Sequence, residues 1–195
     1  MLSKKKEDPR TTRSRKLLRD AFTELLSRKT FDSITVQDIT EHATLNRATF
    51  YAHFADKQAL LVHCFGELFN ELVRARLPIN SELNPSNMKL AITLVCEYLE
   101  VLFTQYHAKQ NEAFAPLMER QLKTHLHRLL ALWLKKSKPQ AFKAGMSPDL
   151  VVTAATCAIY GSAVQWAQGT RTETPEKLAQ QIFPMIRALL GTETT

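Results

Sequence analysis

Residues 46–54 read NRATFYAHF, with Asn46, Arg47, Thr49, Tyr51 and His53 set among Phe50, Phe54 and two alanines. A fully buried segment would strand Asn46, Arg47 and His53 without polar partners, and a fully solvated one has no use for Phe50, Tyr51 and Phe54. The stretch therefore packs through one face and meets something polar through another. Asn46 is a favoured N-cap, so RATFYAHF reads as a short helix. Just before it, ITVQDITEHA (34–43) places Thr35 three residues ahead of Asp38, an N-cap with an acid in the first turn, and aligns Val36, Ile39 and Ala43 on one face. Only Thr44 and Leu45 separate the two. Two short helices across a tight turn make a helix-turn-helix motif over 35–54. A second helix with polar groups opposite Phe50 and Phe54 suits a major groove about 12 Å wide, which admits one helix.

Upstream, Leu17, Leu18, Ala21, Phe22, Leu25 and Leu26 form one apolar stripe on a helix over about 10–28, with arginines on its other face. Downstream, Asp56 caps a connecting helix over 57–77, where Leu60, Leu61, Phe65, Leu68, Phe69 and Leu72 give a wide apolar face and Pro78 ends it. The stretch INSELNPSN (79–87) reads as a loop with Asn84 and Pro85 as its turn signal. The run over about 88–107 is apolar nearly all round and belongs at the centre of the second half. A short piece around NEAF (111–114) precedes a helix over 116–136, with Leu122, Leu126, Leu129, Leu130 and Trp133 inward. SKPQAFKAGM (137–146) reads as a loop. Ser147 with Pro148, and Thr174 with Pro175, are caps followed by a first-turn proline. They start helices over about 148–168 and 175–190, the last stopped by Gly191 and kinked at Pro184. The fold expected is all-α with about nine helices: a helix-turn-helix domain over 10–56, the connecting helix, and a helical domain over 78–195.

With 195 residues, 45% of them hydrophobic, the chain can build a substantial core. No run approaches the roughly 18 consecutive apolar residues of a membrane span, and the first ten residues lack the apolar region of a secretory signal. A soluble cytoplasmic protein is expected. Residues 1–19 hold eight basic residues against two acidic ones, so nearly all of the net charge of +7 sits there. A basic arm over 1–9, expected to be disordered beside a folded unit, is the electrostatic footprint of a phosphate backbone or an anionic membrane surface. The membrane reading would need bulky apolar residues exposed, whereas Leu17, Leu18, Phe22 and Leu25 are needed inside the three-helix unit.

Cys64, Cys96 and Cys157 stand far apart with no CxxC spacing and read as reduced core residues. His125 and His127 are two apart on a helix and point to different faces, a poor metal site. There is no HExxH, GxSxG, P-loop or paired carboxylate set, so neither an enzyme nor a metal or cofactor is expected.

The series ITVQDITEHATLNRATFYAHFADKQALL (34–61) is similar to the DNA-binding region of the TetR/AcrR family of one-component transcriptional regulators. The likeness runs over about residues 12–62. It takes in Ala21 and Phe22, Ile34 and Thr35, Ala43, and the tail of Thr49, Phe50, Tyr51, His53, Phe54, Asp56, Lys57 and Leu60. The resemblance implies that Thr35 and Gln37 contact DNA from the second helix, with Asn46, Arg47, Ala48 and Thr49 at the front of the recognition helix. It further implies phosphate contacts from Tyr51, His53 and Lys57. Arg47 is the candidate for direct reading, since an arginine can bond bidentately to guanine. Three positions depart from the pattern: Thr30 and Thr44 stand where glycine is usual, and Gln58 where glutamate is. At Thr44 a positive φ costs roughly 1 kcal/mol or more for a residue other than glycine, so a somewhat different turn is expected.

In the second half the resemblance is one of layout. It implies a homodimer on a pseudo-palindromic operator of double-stranded DNA, and release from that operator by an unknown small-molecule inducer. AIYGSAVQWAQG (158–169) looks like a dimer-interface helix, with Ala158, Gly161 and Ser162 allowing close approach, Trp166 as anchor, and Ile182 and Ile186 on the partner helix. Cys96, Tyr98, Phe103, Tyr106, His125 and Trp133 could line an apolar ligand cavity, although such residues more often form plain core. The expected function is a repressor. The rival reading is a helical small-molecule carrier or enzyme acting through residues 88–190.

Overall fold

The computed structural model describes residues 8–78, 80–106, 114–137, 146–170 and 172–190. Most of the basic arm, the piece around NEAF up to residue 113, most of the 137–146 connection and Gly191 lie outside the described residues. Eight α-helices and one 3-10 turn follow in order: α1 Pro9–Leu26, the turn Phe31–Ser33, α2 Val36–His42, α3 Arg47–His53, α4 Lys57–Arg76, α5 Pro85–Gln105, α6 Phe114–Ser137, α7 Pro148–Gln168 and α8 Pro175–Leu189. No strand occurs among the described residues.

The starts of these helices follow from side chains that take up orphaned backbone N–H groups. Asp8, Thr35, Asn46, Asp56, Asn84, Ser147 and Thr174 each accept from an N–H in the first turn of the helix that follows. Four of these caps precede a proline whose fixed φ already suits a first helical residue: Pro9, Pro85, Pro148 and Pro175. Two expectations are corrected by this chemistry. Asp8 and Pro9 open α1 rather than closing a disordered arm, and Asn84 with Pro85 opens α5 rather than turning a loop. The same dipeptide logic applied at 147–148 and 174–175 holds at both earlier positions.

α1 packs on α2, α3 and α4, and α2 on α3. Leu18, Phe22, Leu26, Phe31, Ile34, Ile39 and Phe50 are buried at the centre of this unit, where the Phe22 and Phe31 rings meet edge to face at 6.3 Å. Leu17, expected inside, is 39% exposed: one residue from Leu18 is about 100° around the helix, and Leu18 takes the core direction. α4 continues out of this unit to pack on α5 and α6, and α5 lies against α4, α7 and α8. The nearly all-apolar α5 is thus central to the second half, with Ile92, Leu94, Val95, Cys96 and Tyr98 fully buried. α7 packs on α5, α6 and α8.

The turn between α2 and α3 keeps the left-handed conformation that was expected to relax. Thr44 has φ 54° and is the one non-glycine residue with positive φ among those described. The reason is the hydrogen-bond pattern of the α2 C-terminus, where the Leu45 N–H donates to Thr40 O at 2.9 Å and the Thr44 N–H to Glu41 O at 3.1 Å. This pair is a Schellman closure, and it requires the residue at Thr44 to be left-handed. The strained threonine is held by the two bonds around it. Replacing Thr44 by glycine should therefore stabilise the chain by about 1 kcal/mol, the left-handed penalty less glycine's greater unfolded-state freedom. Urea unfolding of T44G against the parent checks this; an unchanged or lower midpoint counts against a strained turn.

Candidate nucleic-acid interface

α3 is seven residues long and is fixed at both ends. Asn46 Oδ1 accepts from the Ala48 N–H at 2.8 Å, and the Phe54 N–H closes on Phe50 O at 2.9 Å. Phe50 is fully buried and Phe54 nearly so, with ring contacts between them at 5.9 Å and from Phe54 to His63 of α4 at 5.4 Å. The inward face expected for this helix is the observed one.

The outward face differs in part. Arg47, Ala48, Tyr51 and Ala52 are exposed, whereas Thr49 and His53 are half-buried on the flank. With Phe50 directed inward, Ala48 and Ala52 lie about 160° from it on the far side, Arg47 and His53 about 60° to either side and Thr49 and Tyr51 about 100° to either side, so the exposed face runs from Arg47 and Tyr51 on one flank to the two alanines. Periodicity applied to the polar residues alone missed Ala52; counting around the helix from Phe50 finds it. Arg47 forms no ion pair among the described residues. Tyr51 is 52% exposed and lays its ring edge-on against Phe50 at 5.4 Å, which steadies the phenol without covering it. An exposed guanidinium and phenol on the solvent side of a docked helix can donate to phosphate oxygens or base edges.

On α2, Thr35 and Asp38 form a full capping box. The Asp38 N–H donates to Thr35 Oγ1 at 3.0 Å, and the Thr35 N–H to Asp38 Oδ2 at 2.8 Å. The Thr35 hydroxyl also donates to that carboxylate at 2.6 Å, so its proton is used inside the domain. Gln37 donates to Glu41 Oε1 at 2.8 Å on the exposed side. Asn46 likewise serves as a cap.

Lys57, expected to be a phosphate anchor, points into the domain instead. Its Nζ donates to the carbonyls of Phe31, Asp32 and Ile34 at 2.9, 3.2 and 2.9 Å, and stands 4.5 Å above the Phe31 ring.

The residues expected to line a ligand cavity do not gather into one site. Tyr98 is fully buried on Phe69 at 5.3 Å, donates to Phe65 O at 3.2 Å, and has its phenol pushed up by burial. Tyr106 meets Phe65 at 5.0 Å and His125 meets Phe69 at 6.0 Å, so these three share the α4–α5–α6 junction. Phe103 is half-buried against the core. Trp133, 2% exposed, is at a different place, donating to Ser81 Oγ at 3.1 Å beyond the end of α4. Cys96 is fully buried, and burial followed by the charges of Glu97 and Glu176 pushes its thiol up to about 12. His125 bonds to Gln121 O at 2.9 Å while His127 meets Asp149 and Thr153 on α7, so the HxH pair serves two neighbours. Among the described residues no three His, Cys, Asp or Glu side chains come together in a way that would hold a metal ion.

For the expected dimer interface, two residues are corrected. Ile182 and Ile186 are buried within the chain itself, because α8 turns its Ala179, Ile182 and Ile186 stripe towards its own neighbours. Its exposed apolar residues are Met185 and Leu189. On α7, Gly161 is exposed, and a Cβ there would meet nothing within 4 Å. Ala158, Ser162 and Trp166 are half-buried, the indole donating to Glu173 O at 2.8 Å. Leu150 and Cys157 complete an outward strip of α7. This 21-residue helix is also the one described helix long and apolar enough to cross a membrane by length and composition; it packs on α5, α6 and α8, with 39% of the window buried.

Two short capped helices across a tight turn, with a buried aromatic anchor and an exposed arginine and tyrosine, define a helix-turn-helix protein. Residues 18–64 match the family of bacterial regulatory proteins designated the tetR family. On that segment the chain is similar to the tetR family. An HTH-type transcriptional regulator of Bacillus subtilis (strain 168), itself uncharacterized, is 36% identical over 95 residues, which are 46% of this chain and 25% of the relative. The match thus spans about a quarter of that relative's length. Among solved structures, the dihydroxyacetone kinase operon activator DhaS superposes with TM-score 0.59 at 22% identity, covering 91% of this chain and 96% of its own. FadR from Bacillus subtilis, in complex with stearoyl-CoA, gives 0.57 at 16% identity, covering 91% and 99%. At such identities these two show the fold alone.

The capping box carries a pH dependence. Hydrogen bonds from Thr35, first from its hydroxyl and then from its backbone, hold the Asp38 carboxyl below its ordinary value, with Lys29 adding a smaller effect at 3.5 Å. A depressed folded value contributes stability that is full above the ordinary aspartate value of about 4 and is lost as pH falls through the lowered one. Thermal midpoints followed from pH 6 down to about pH 2.5 should fall more steeply for the parent than for D38N, the two curves converging in acid. Parallel curves would show that the box contributes nothing.

Proposed function

We propose that this chain is a homodimeric, sequence-specific DNA-binding transcriptional regulator that each subunit docks through α3 in the major groove of one half of a pseudo-palindromic operator. The observation that carries the reading is the exposed Arg47, Ala48, Tyr51 and Ala52 face of a helix whose opposite face is fully committed to the core. Arg47 is assigned to base edges and Tyr51 to a phosphate, with Thr49 and His53 reaching the groove wall from the flank. Thr35 and Asn46 act chiefly as caps that aim the two helices. The basic residues near the N-terminus add sequence-independent attraction. Such a protein works in the cytoplasm, and this reading assigns it no catalysis.

The regulatory reading is a repressor released by a small molecule held among α4, α5 and α6, where Tyr98, Tyr106 and His125 meet Phe65 and Phe69. The neighbour bound to stearoyl-CoA supports a ligand in this fold, while DhaS shows that the same fold also serves activation. A ligand would act by favouring a spacing of the two reading heads that no longer matches successive grooves.

Selection of bound duplexes from a random pool tests the DNA reading, and should return a two-fold symmetric site. Affinity for that duplex should fall steeply between about 50 and 200 mM salt, by at least a hundredfold for several phosphate contacts. The double variant R47A/Y51A should lose sequence preference and at least a hundredfold in affinity, about 3 kcal/mol. Weak salt dependence, or binding that survives the double substitution, would sink the assignment.

The dimer is tested at Gly161. Since a side chain there meets nothing within the chain, G161E should leave helicity unchanged while converting a dimer to a monomer in sedimentation, with any drop in unfolding midpoint limited to the lost association. A dimer that persists would move the interface elsewhere.

A further inference from the structure

We propose that Lys57 is a positioning residue that locks the start of α4 to the α1–α2 connection and so sets the angle of the reading head, rather than a contact to DNA phosphate. The inference rests on the DNA-binding reading above only for its consequence, since the lock itself lies within the chain.

An ammonium has three protons, and here three backbone carbonyls, of Phe31, Asp32 and Ile34, stand within 3.2 Å of Nζ. The Phe31 ring closes another side at 4.5 Å. No proton is left over for a phosphate oxygen in this arrangement. The three carbonyls belong to the 3-10 turn Phe31–Ser33 and to Ile34, its C-cap residue. Phe31 O also accepts from the Ile34 N–H at 3.2 Å, so the ammonium adds to that closing bond, and carbonyl oxygens at the end of such a turn are partially negative, for which a cation is the complement. Lys57 is also the first residue of α4, whose cap Asp56 accepts from the Ala59 N–H at 2.7 Å. The lysine therefore joins two backbone segments more than twenty residues apart. One is the start of the helix that leads into the second half of the molecule. The other leads, through Ile34, into the Thr35 cap of α2, and α2 carries α3 across the Thr44 turn. With the ammonium in place, α4 and the helix-turn-helix move as one body; without it, the 31–35 segment keeps Phe31 and Ile34 in the core and the Thr35–Asp38 box but loses its tie to α4 through Lys57.

Two substitutions separate positioning from phosphate contact. K57M removes the charge and every bond. K57R keeps the charge, and hence any phosphate contact, but a planar guanidinium cannot direct three protons at a tripod of carbonyls. Both are compared with the parent by amide hydrogen exchange over residues 30–39 and by affinity for the selected duplex across a salt series. Positioning predicts that both variants lose protection at least tenfold in that segment. It also predicts weaker binding by a similar factor at every salt concentration, with the slope of log affinity against log salt unchanged. A slope lowered by about 0.9 in K57M, with K57R binding like the parent and exchange unaltered, would overturn it in favour of a phosphate contact. Should K57M fail to fold, K57R decides alone. If the parent selects no DNA at all, the regulator reading fails, yet exchange still judges the lock: unaltered protection in both variants removes it.

Discussion

α2 and α3 are seven residues each, and helices that short do not persist in water without outside support. Everything that makes the first domain work answers this constraint. The burial of Phe50, with Phe54 beside it, fastens α3 to a core built by Leu18, Phe22, Phe31 and Ile39. Burying one such aromatic is worth roughly 2–3 kcal/mol, more than the intrinsic stability of a two-turn helix. The helix ends supply the remainder: the Thr35 and Asp38 box before α2, the closure at Thr44 and Leu45 after it, the Asn46 cap before α3. Anchoring through a single face leaves the other free to be written with whatever a binding partner demands.

The second half is organised by different physics. α5 is apolar nearly all round and so can only be central, and its polar atoms are accounted for by internal bonds such as Tyr98 to Phe65 O. Burial pushes the Cys64 and Cys96 thiols up to about 12, which leaves them uncharged packing groups at neutral pH. α7 is apolar too, yet it exposes Leu150, Cys157 and Gly161, and α8, which packs on it, exposes Met185 and Leu189. A helix hydrophobic all round is normally buried all round, and α7 departs from that along this strip.

How far the sequence could be read depended on whether the signal was local. Helix type, order and the inward face of α3 rest on periodicity and caps, which are properties of neighbouring residues, and they were legible. The start of α5 was missed because Asn84 and Pro85 suit a turn as well as a cap, and only the residues that follow decide between them. The orientations of Lys57, Ile182 and Ile186 were missed for another reason. Each depends on a distant segment, the Phe31–Ile34 carbonyls in one case and the packing of α8 on α5 and α7 in the other. Trp133 and Cys96 share hydrophobic character with Tyr98 but not a location, and composition carries no coordinates.

α4 belongs to both halves. Its first residue grips the α1–α2 connection through Lys57, Glu71 reaches back to Arg19 of α1 at 3.1 Å, and its last residue, Arg76, bonds to Glu97 of α5 at 2.6 Å. Twenty residues make a rod about 30 Å long. A tilt of roughly 6° about the Arg76 end displaces the Lys57 end by about 3 Å, close to the rise of one base pair along a strand of DNA. An angular change too small to disturb the packing at one end thus corresponds to a whole step of register at the other.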